Sequence, residues 1–364
     1  MTIDQPLTHH GDAEAPNATV DFAVNVRGQH PPEFLARRLH AEIRNLGGYP
    51  TLHRQHSVRA AVARRHGIAP DSVLLLGGVS EGFSLLHRLA PARALVVHPS
   101  FTEPEWALRQ AGIPLERYVL APPFSLDAAQ LCARAEALEQ TLPGRPGCMV
   151  VVGNPTNPTG VLHQLEQLGQ WADADRGRWA VVDEAFMDIV EPQQRAARTL
   201  LHQAANTPGL IVFRSLTKTW NIAGLRCGYA VAHPDTIAHL EHLRPAWPLG
   251  SLQLAALEEI SLHGNHYENA ESAAVAEEKA AMAKLLRAEK WRVHPSQAPF
   301  LLVQPPQPEV RETLAAAGIA IRRCDTFPGL DHTYWRVAVR PAAQVQQLVR
   351  AYRAACATGP AADH

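Results

Sequence analysis

Lys218 stands three residues beyond the apolar run LIVFRS (210–215), in the stretch SLTKTWNIAGLR, with Ser215 and Thr217 before it and Arg226 after it. A lysine set in a partly desolvated pocket has a lowered pKa and can act as a nucleophilic amine toward a carbonyl carbon. In solvent, Lys218 and Arg226 would be an ordinary surface pair. Three other stretches carry matching chemistry. VVDEAF (181–186) ends an apolar run on two carboxylates, and a half-buried Asp183 needs a cationic partner such as Lys218 or a protonated ring nitrogen. NPTNPTG (154–160) has two Asn-Pro steps and a glycine. Proline fixes its own φ and restrains the residue before it, so Asn154 or Asn157 can be held still against a ligand. GGVSEGFSLL (77–86) reads as a glycine turn entering a helix, with Ser80 as cap, Glu81 in the first turn, and Val79 and Ser80 beside an anion site. It matches neither G-x-G-x-x-G nor G-x-x-x-x-G-K-[ST], which argues against dinucleotide and nucleoside triphosphate binding.

These residues need a scaffold that gathers them. Apolar runs at 72–78, 94–99, 148–155, 179–185, 210–215 and 228–233 are Val- and Leu-rich at consecutive positions, as strands buried on both faces are. Helix-like segments at 81–90, 103–112 and 162–175 lie between them. The alternation predicts an α/β fold with a mostly parallel central sheet, in which ligands collect at the carboxyl ends of the strands. Residues 249–288 read as long helices broken near Gly264. Short strands at 300–304, 319–324 and 334–340 and a helix at 341–355 predict a smaller α+β domain. The expected division is an N-terminal arm at 1–45, a large domain at 46–248, connecting helices at 249–290 and a small domain at 291–364. The first sixteen residues and the tail ATGPAADH are expected to be flexible.

At 364 residues the chain is long enough for two domains. A formal net charge of −1 offers no basic field for nucleic acid or an anionic membrane. No apolar stretch is long enough to span a bilayer, and the N-terminus does not read as a signal peptide. Five scattered cysteines without Cys-x-x-Cys spacing fit a reducing cytoplasm. Nineteen histidines invite a metal reading, but the HxxH at His53 and His56 has no completing ligand, so no metal site is expected.

A reactive lysine, a carboxylate, an amide, hydroxyls and an arginine are together what pyridoxal 5'-phosphate requires: an imine-forming amine, an acid for the pyridine nitrogen, and phosphate anchors. On NPTNPTG, DEAF and SLTKTWNIAGLRCGY, in that order, the sequence resembles the fold-type I pyridoxal-phosphate enzymes, specifically the class I/II aminotransferases, over nearly its whole length. The branch it resembles holds the histidinol-phosphate aminotransferases and the threonine-phosphate decarboxylases of cobalamin synthesis. The resemblance implies that Lys218 forms the internal aldimine and shuttles protons, that Asp183 pairs with the pyridinium nitrogen, and that Asn157 bonds the ring's phenolic oxygen. Phe101 would stack on the ring, and Val79, Ser80, Ser215, Thr217 and Arg226 would hold the phosphate. Tyr49 would reach the cofactor of the partner subunit in a homodimer, and Arg336 would clamp a substrate carboxylate.

Two departures stand out. Phe186 replaces the tyrosine of the commoner DEAY and removes a donor to the phenolic oxygen. DFAVNVRGQHPP resembles that branch's D-F-S-x-N-x-N-P, with Asn25 retained and Arg27 in place of the second asparagine. Arg27, with Arg322, Arg323 or Arg340, is therefore expected to meet a phosphate on the substrate. The implied activity is amino transfer between a phosphorylated amine or amino acid and 2-oxoglutarate or glutamate. The alternative is decarboxylation of L-threonine O-3-phosphate. A catalytically silent binding protein of the same fold is the third reading, opposed by the intact Lys218.

Overall fold

The computed structural model describes residues 5–9, 11, 14, 18–141, 147–242 and 244–358. Its strands are β1 (Val20–Asp21), β2 (Val73–Leu76), β3 (Arg93–His98), β4 (Leu115–Val119), β5 (Cys148–Gly153), β6 (Trp179–Asp183), β7 (Leu210–Ser215), β8 (Gly228–Ala232), β9 (Arg292–Val293), β10 (Phe300–Gln304), β11 (Ile319–Ala320), β12 (Arg322–Arg323) and β13 (Trp335–Ala338). A seven-stranded sheet runs β2-β8-β7-β6-β5-β3-β4. The pairs among β7, β6, β5, β3 and β4 are parallel, and only β8 runs against its neighbours β2 and β7.

Alternate residues of these strands enter two separate cores. Val150, Val152, Ala180, Val182 and Val212 join one, while Met149, Val151, Val181, Ile211 and Phe213 join the other. Both faces are covered, which is why the strands read as unbroken apolar runs. β4 escaped the sequence reading because it is the edge strand: LERYV carries Glu116 and Arg117, and none of its residues is fully buried.

A four-stranded sheet, β12-β13-β10-β9, forms the second unit around Trp291, Trp335 and Tyr352. The stretch expected as one strand at 319–324 is two. β11 pairs with β1, whereas β12 pairs with β13, so the chain changes sheets at Ile321. Helices Ser251–His263 and Asn265–Ala288 connect the two sheets, broken at Gly264. The helix expected over 162–175 is confined to Glu166–Trp171, because Asp173 caps a new turn by accepting from Asp175 N and Arg176 N.

The described part of the N-terminal arm is packed, not loose. Leu7 is buried, its carbonyl accepts from Thr102 Oγ1 at 2.7 Å, and Glu14 pairs with Arg311 and Arg322. The rest of the first sixteen residues, and 359–364 of the tail, lie outside the described residues. No described helix is long and apolar enough to cross a membrane.

Candidate active site

A cavity of about 500 Å³ opens at the carboxyl edge of the large sheet. Asp183 ends β6 in register with Gly153 of β5 and Phe213 of β7, while Ser215 ends β7 opposite Gly228. Beyond Ser215 the chain turns tightly, with Ile222 N bonding to Thr217 O and Asn221 N to Lys218 O, and Lys218 lines the cavity. Its Nζ donates to Ser215 Oγ at 3.3 Å and stands 5.7 Å from the centre of the Phe186 ring. Burial lowers the Lys218 ammonium below the usual lysine range, and Asp183 opposes that shift. Burial also raises the Asp183 carboxyl to about 6, against the pull of Lys218 and of the Ala185 N–H, which donates to Oδ1 at 3.1 Å.

The glycine turn that also lines the cavity meets Arg226. This arginine has φ +60°, an uncommon backbone state for a residue with a side chain. Its guanidinium lies against Gly78, where a Cβ would come within 2.8 Å of Nη2, so the close approach needs glycine. Arg226 Nη2 donates to Ser80 Oγ at 3.4 Å, and Ser215 Oγ and Thr217 Oγ1 are 2.7 Å apart. Glu81 braces the turn: its carboxylate accepts from Gly77 N at 2.6 Å and Arg244 Nε at 2.8 Å. Glu103, missed by the sequence reading, lines the cavity and accepts from Ser80 Oγ at 2.9 Å. Its one signal was its place two residues after Phe101, which also lines the cavity.

The proline-rich loop divides its two amides. Asn154 is fully buried and bonds both the backbone N–H and the carbonyl of His163, so it shapes the loop. Asn157 faces the cavity, and its Oδ1 accepts from Arg336 Nη1 at 2.8 Å. Arg336 also donates through Nη2 to the Ala23 carbonyl and stacks over Phe300. Burial, with Arg322 nearby, lowers this guanidinium to about 9. Arg322 faces Arg336 across β12 and β13 and lines the same cavity, held by Glu14, the His9 carbonyl and Thr326. Val79 and Asn25 complete the wall.

Other residues singled out from the sequence lie elsewhere. Arg27 is bound by Glu271 at 3.0 Å and Glu278 at 2.7 Å. The guanidinium of Arg340 is taken up by the carbonyls of Asp21, Val24 and Val339. Neither lines the cavity, and both forks are bonded within the protein. Arg323, named with them, is paired with Asp325. Tyr49 is 77 % exposed and stacks on Trp247 at 4.7 Å, outside this chain's own cavity wall.

Pyridoxal phosphate fits this donor set. The Gly78–Arg226 cradle would be filled by any Cβ, the hydroxyls of Ser215 and Thr217 with the Arg226 guanidinium would suit its phosphate, and Asp183 and Lys218 would suit its ring. Asn25 Oδ1 and Arg336 Nε are buried without a hydrogen-bond partner among the described residues, which marks the substrate side as polar.

Residues 19–352 match the family described as aminotransferase class I and II. A histidinol-phosphate aminotransferase of Mycobacterium tuberculosis (strain H37Rv) is 45 % identical over 92 % of this chain and 87 % of its own length. A threonine-phosphate decarboxylase of Salmonella typhimurium is 30 % identical over 93 % of this chain and 92 % of its own. Among solved structures, a histidinol-phosphate aminotransferase from Clostridium acetobutylicum superposes with a TM-score of 0.81 at 21 % identity, covering 93 % of this chain and all of the other.

Proposed function

From a chain that belongs to the class I and II aminotransferases, we infer an enzyme that moves an amino group between a phosphorylated amine of the histidinol-phosphate kind and 2-oxoglutarate. The family works with pyridoxal 5'-phosphate, and this chain is a pyridoxal-phosphate-dependent aminotransferase. The observation that carries the substrate reading is the 45 % identity to histidinol-phosphate aminotransferases over nearly the full chain, against 30 % to the decarboxylase.

When bound, the cofactor supplies a carbonyl carbon and a ring that draws electrons from the substrate Cα. Around it the chain's residues take separate tasks. Asp183 would keep the pyridine nitrogen protonated, and Asn157 would donate to the ring's phenolic oxygen. Phe101 would cover the ring face. Ser80, Ser215, Thr217 and Arg226, with the Val79 backbone, would hold the phosphate. Lys218, whose amine lines the cavity beside Ser215 and Asp183, would hold the carbonyl carbon and would be the base placed to move a proton at the substrate Cα. Arg336, helped by Arg322 and Asn25, receives the phosphate of the amine and the carboxylate of the 2-oxo acid in turn.

Incubation with histidinol phosphate and 2-oxoglutarate tests the reading directly. Glutamate is the expected product, with no carbon dioxide from threonine phosphate. The opposite pair of results would move the enzyme to the decarboxylase reading.

A homodimer belongs to the same proposal. Ile43, Leu46, Tyr49, Leu52 and Trp247 are all more than half exposed, and Tyr49 and Trp247 stack on each other. A second copy would cover this apolar group and receive Tyr49 at its cofactor. Sedimentation should give a dimer that Leu52→Glu turns into monomer with weakened cofactor binding; a monomeric wild type would end the idea. With free cysteines throughout, we assign the protein to the cytoplasm.

A further inference from the structure

The cavity wall formed by Ala23, Val24, Asn25 and Val26 belongs to a segment with no secondary structure beyond β1. Such a wall must be held by its surroundings, and its anchors can be traced residue by residue. At its start, Val20 and Asp21 pair with β11, and Ala338 N donates to Phe22 O at 2.8 Å. Asp21 Oδ1 folds back to accept from Ala23 N and Val24 N. Arg340 donates to Asp21 O at 2.8 Å and Val24 O at 2.7 Å. At its end, Gly28 N donates to Asn221 Oδ1 at 2.9 Å, three residues past Lys218. A Cβ on Gly28 would come within 2.4 Å of the Asn221 amide nitrogen.

Between these anchors stands Arg27. Its two terminal nitrogens grip two carboxylates of helix Asn265–Ala288, Glu271 at 3.0 Å and Glu278 at 2.7 Å. Those positions are seven apart, two helical turns, so they share one face and present a matched fork. All three side chains are less than a third exposed, where an ion pair is better shielded from salt than on an open surface.

We propose that Arg27 is a positioning residue: its double ion pair with Glu271 and Glu278 straps the 23–28 segment against the cavity, setting where Asn25 and Val26 meet any substrate. The inference rests on the aminotransferase reading for its kinetic arm. It separates cleanly from a role as a ligand for substrate phosphate, because the two roles predict opposite signs. If Arg27 were the phosphate ligand, Glu271 and Glu278 would be its competitors, and their removal would improve binding of the phosphorylated substrate alone. As partners in a strap, their removal loosens the wall that both substrates share.

The test compares wild type, Arg27→Met and the Glu271→Gln/Glu278→Gln pair, each loaded with pyridoxal phosphate. The strap predicts that both variants raise KM for histidinol phosphate and for 2-oxoglutarate alike, about tenfold for loss of a shielded double ion pair, with kcat changed less. Arg27→Lys, whose single ammonium cannot span both carboxylates, should recover part of the loss. Amide hydrogen exchange at 23–28 should quicken in both variants, a readout that needs no turnover. A fall in KM for histidinol phosphate alone in the double variant, or unchanged exchange at 23–28, would overturn the proposal. If wild type turned over neither substrate, the functional reading would fall, and the exchange measurement would still decide the strap.

Discussion

Lys218→Ala is expected to yield a colourless protein under conditions where the wild type, loaded with pyridoxal phosphate, is yellow. Its kcat should drop by about 10⁴-fold, the upper end of what one positioned proton-carrying group contributes. The expectation follows from Lys218 lining the cavity, with burial lowering its pKa and Asp183 and Ser215 beside it. No other described lysine lines that cavity. Lys218→Arg should not recover activity, because a guanidinium stays protonated and cannot attack a carbonyl. A coloured Lys218→Ala protein with near wild-type turnover would remove the lysine from the chemistry.

Asp183→Asn should separate activity from stability. In the cofactor-bound enzyme it should lower kcat by about 10³-fold, since an amide cannot keep the ring nitrogen protonated and preorganised charge is worth about that much. In the cofactor-free protein the sign reverses. The Asp183 carboxyl is raised to about 6 in the fold, against a usual aspartate value near 3.9 when unfolded. The native state therefore binds the proton more tightly, and that stability is present below about pH 4 and lost as pH rises through about 6. The loss is about 3 kcal/mol at most, taking roughly 1.4 kcal/mol per unit. The neutral amide of Asp183→Asn has no such loss, so the cofactor-free variant should melt above wild type at pH 8 and not at pH 4. Wild-type and variant melting curves that keep a constant separation across that range would contradict the buried-carboxyl reading. The cofactor's cationic ring would stabilise the ionised Asp183, which is why a costly residue is kept.

The parts of the site legible in the sequence are those fixed by local backbone. Lys218, Asp183 and Asn157 sit within a few residues of strand ends, so the runs that locate the strands also locate the side chains. The motif's own residues left Asn154 and Asn157 open and only the family resemblance chose Asn157, because their separation depends on His163, which closes the loop from outside the motif. The surroundings of Arg27 and Arg340 were hidden for a related reason. A long side chain goes to whatever satisfies its fork, and for Arg27 the partners lie 244 and 251 residues away. Glu103 was invisible because a carboxylate in the first turn of a helix usually has only local work to do. The edge strand β4 was missed because its charged residues break the apolar run by which the other strands were recognised.

The pairing at the start of the 23–28 wall has a consequence for how the protein is made. Thr19 bonds Gly318, 299 residues later. The large sheet that presents Asp183, Lys218 and Arg226 is complete once β8 has been synthesised, whereas β1 waits for β11 near the end of the chain. Closing so long a loop comes late because its entropy must be met before its few contacts return anything. The residues proposed to hold the cofactor, the last of them Arg226, are thus all synthesised before β11, which anchors the start of the substrate wall.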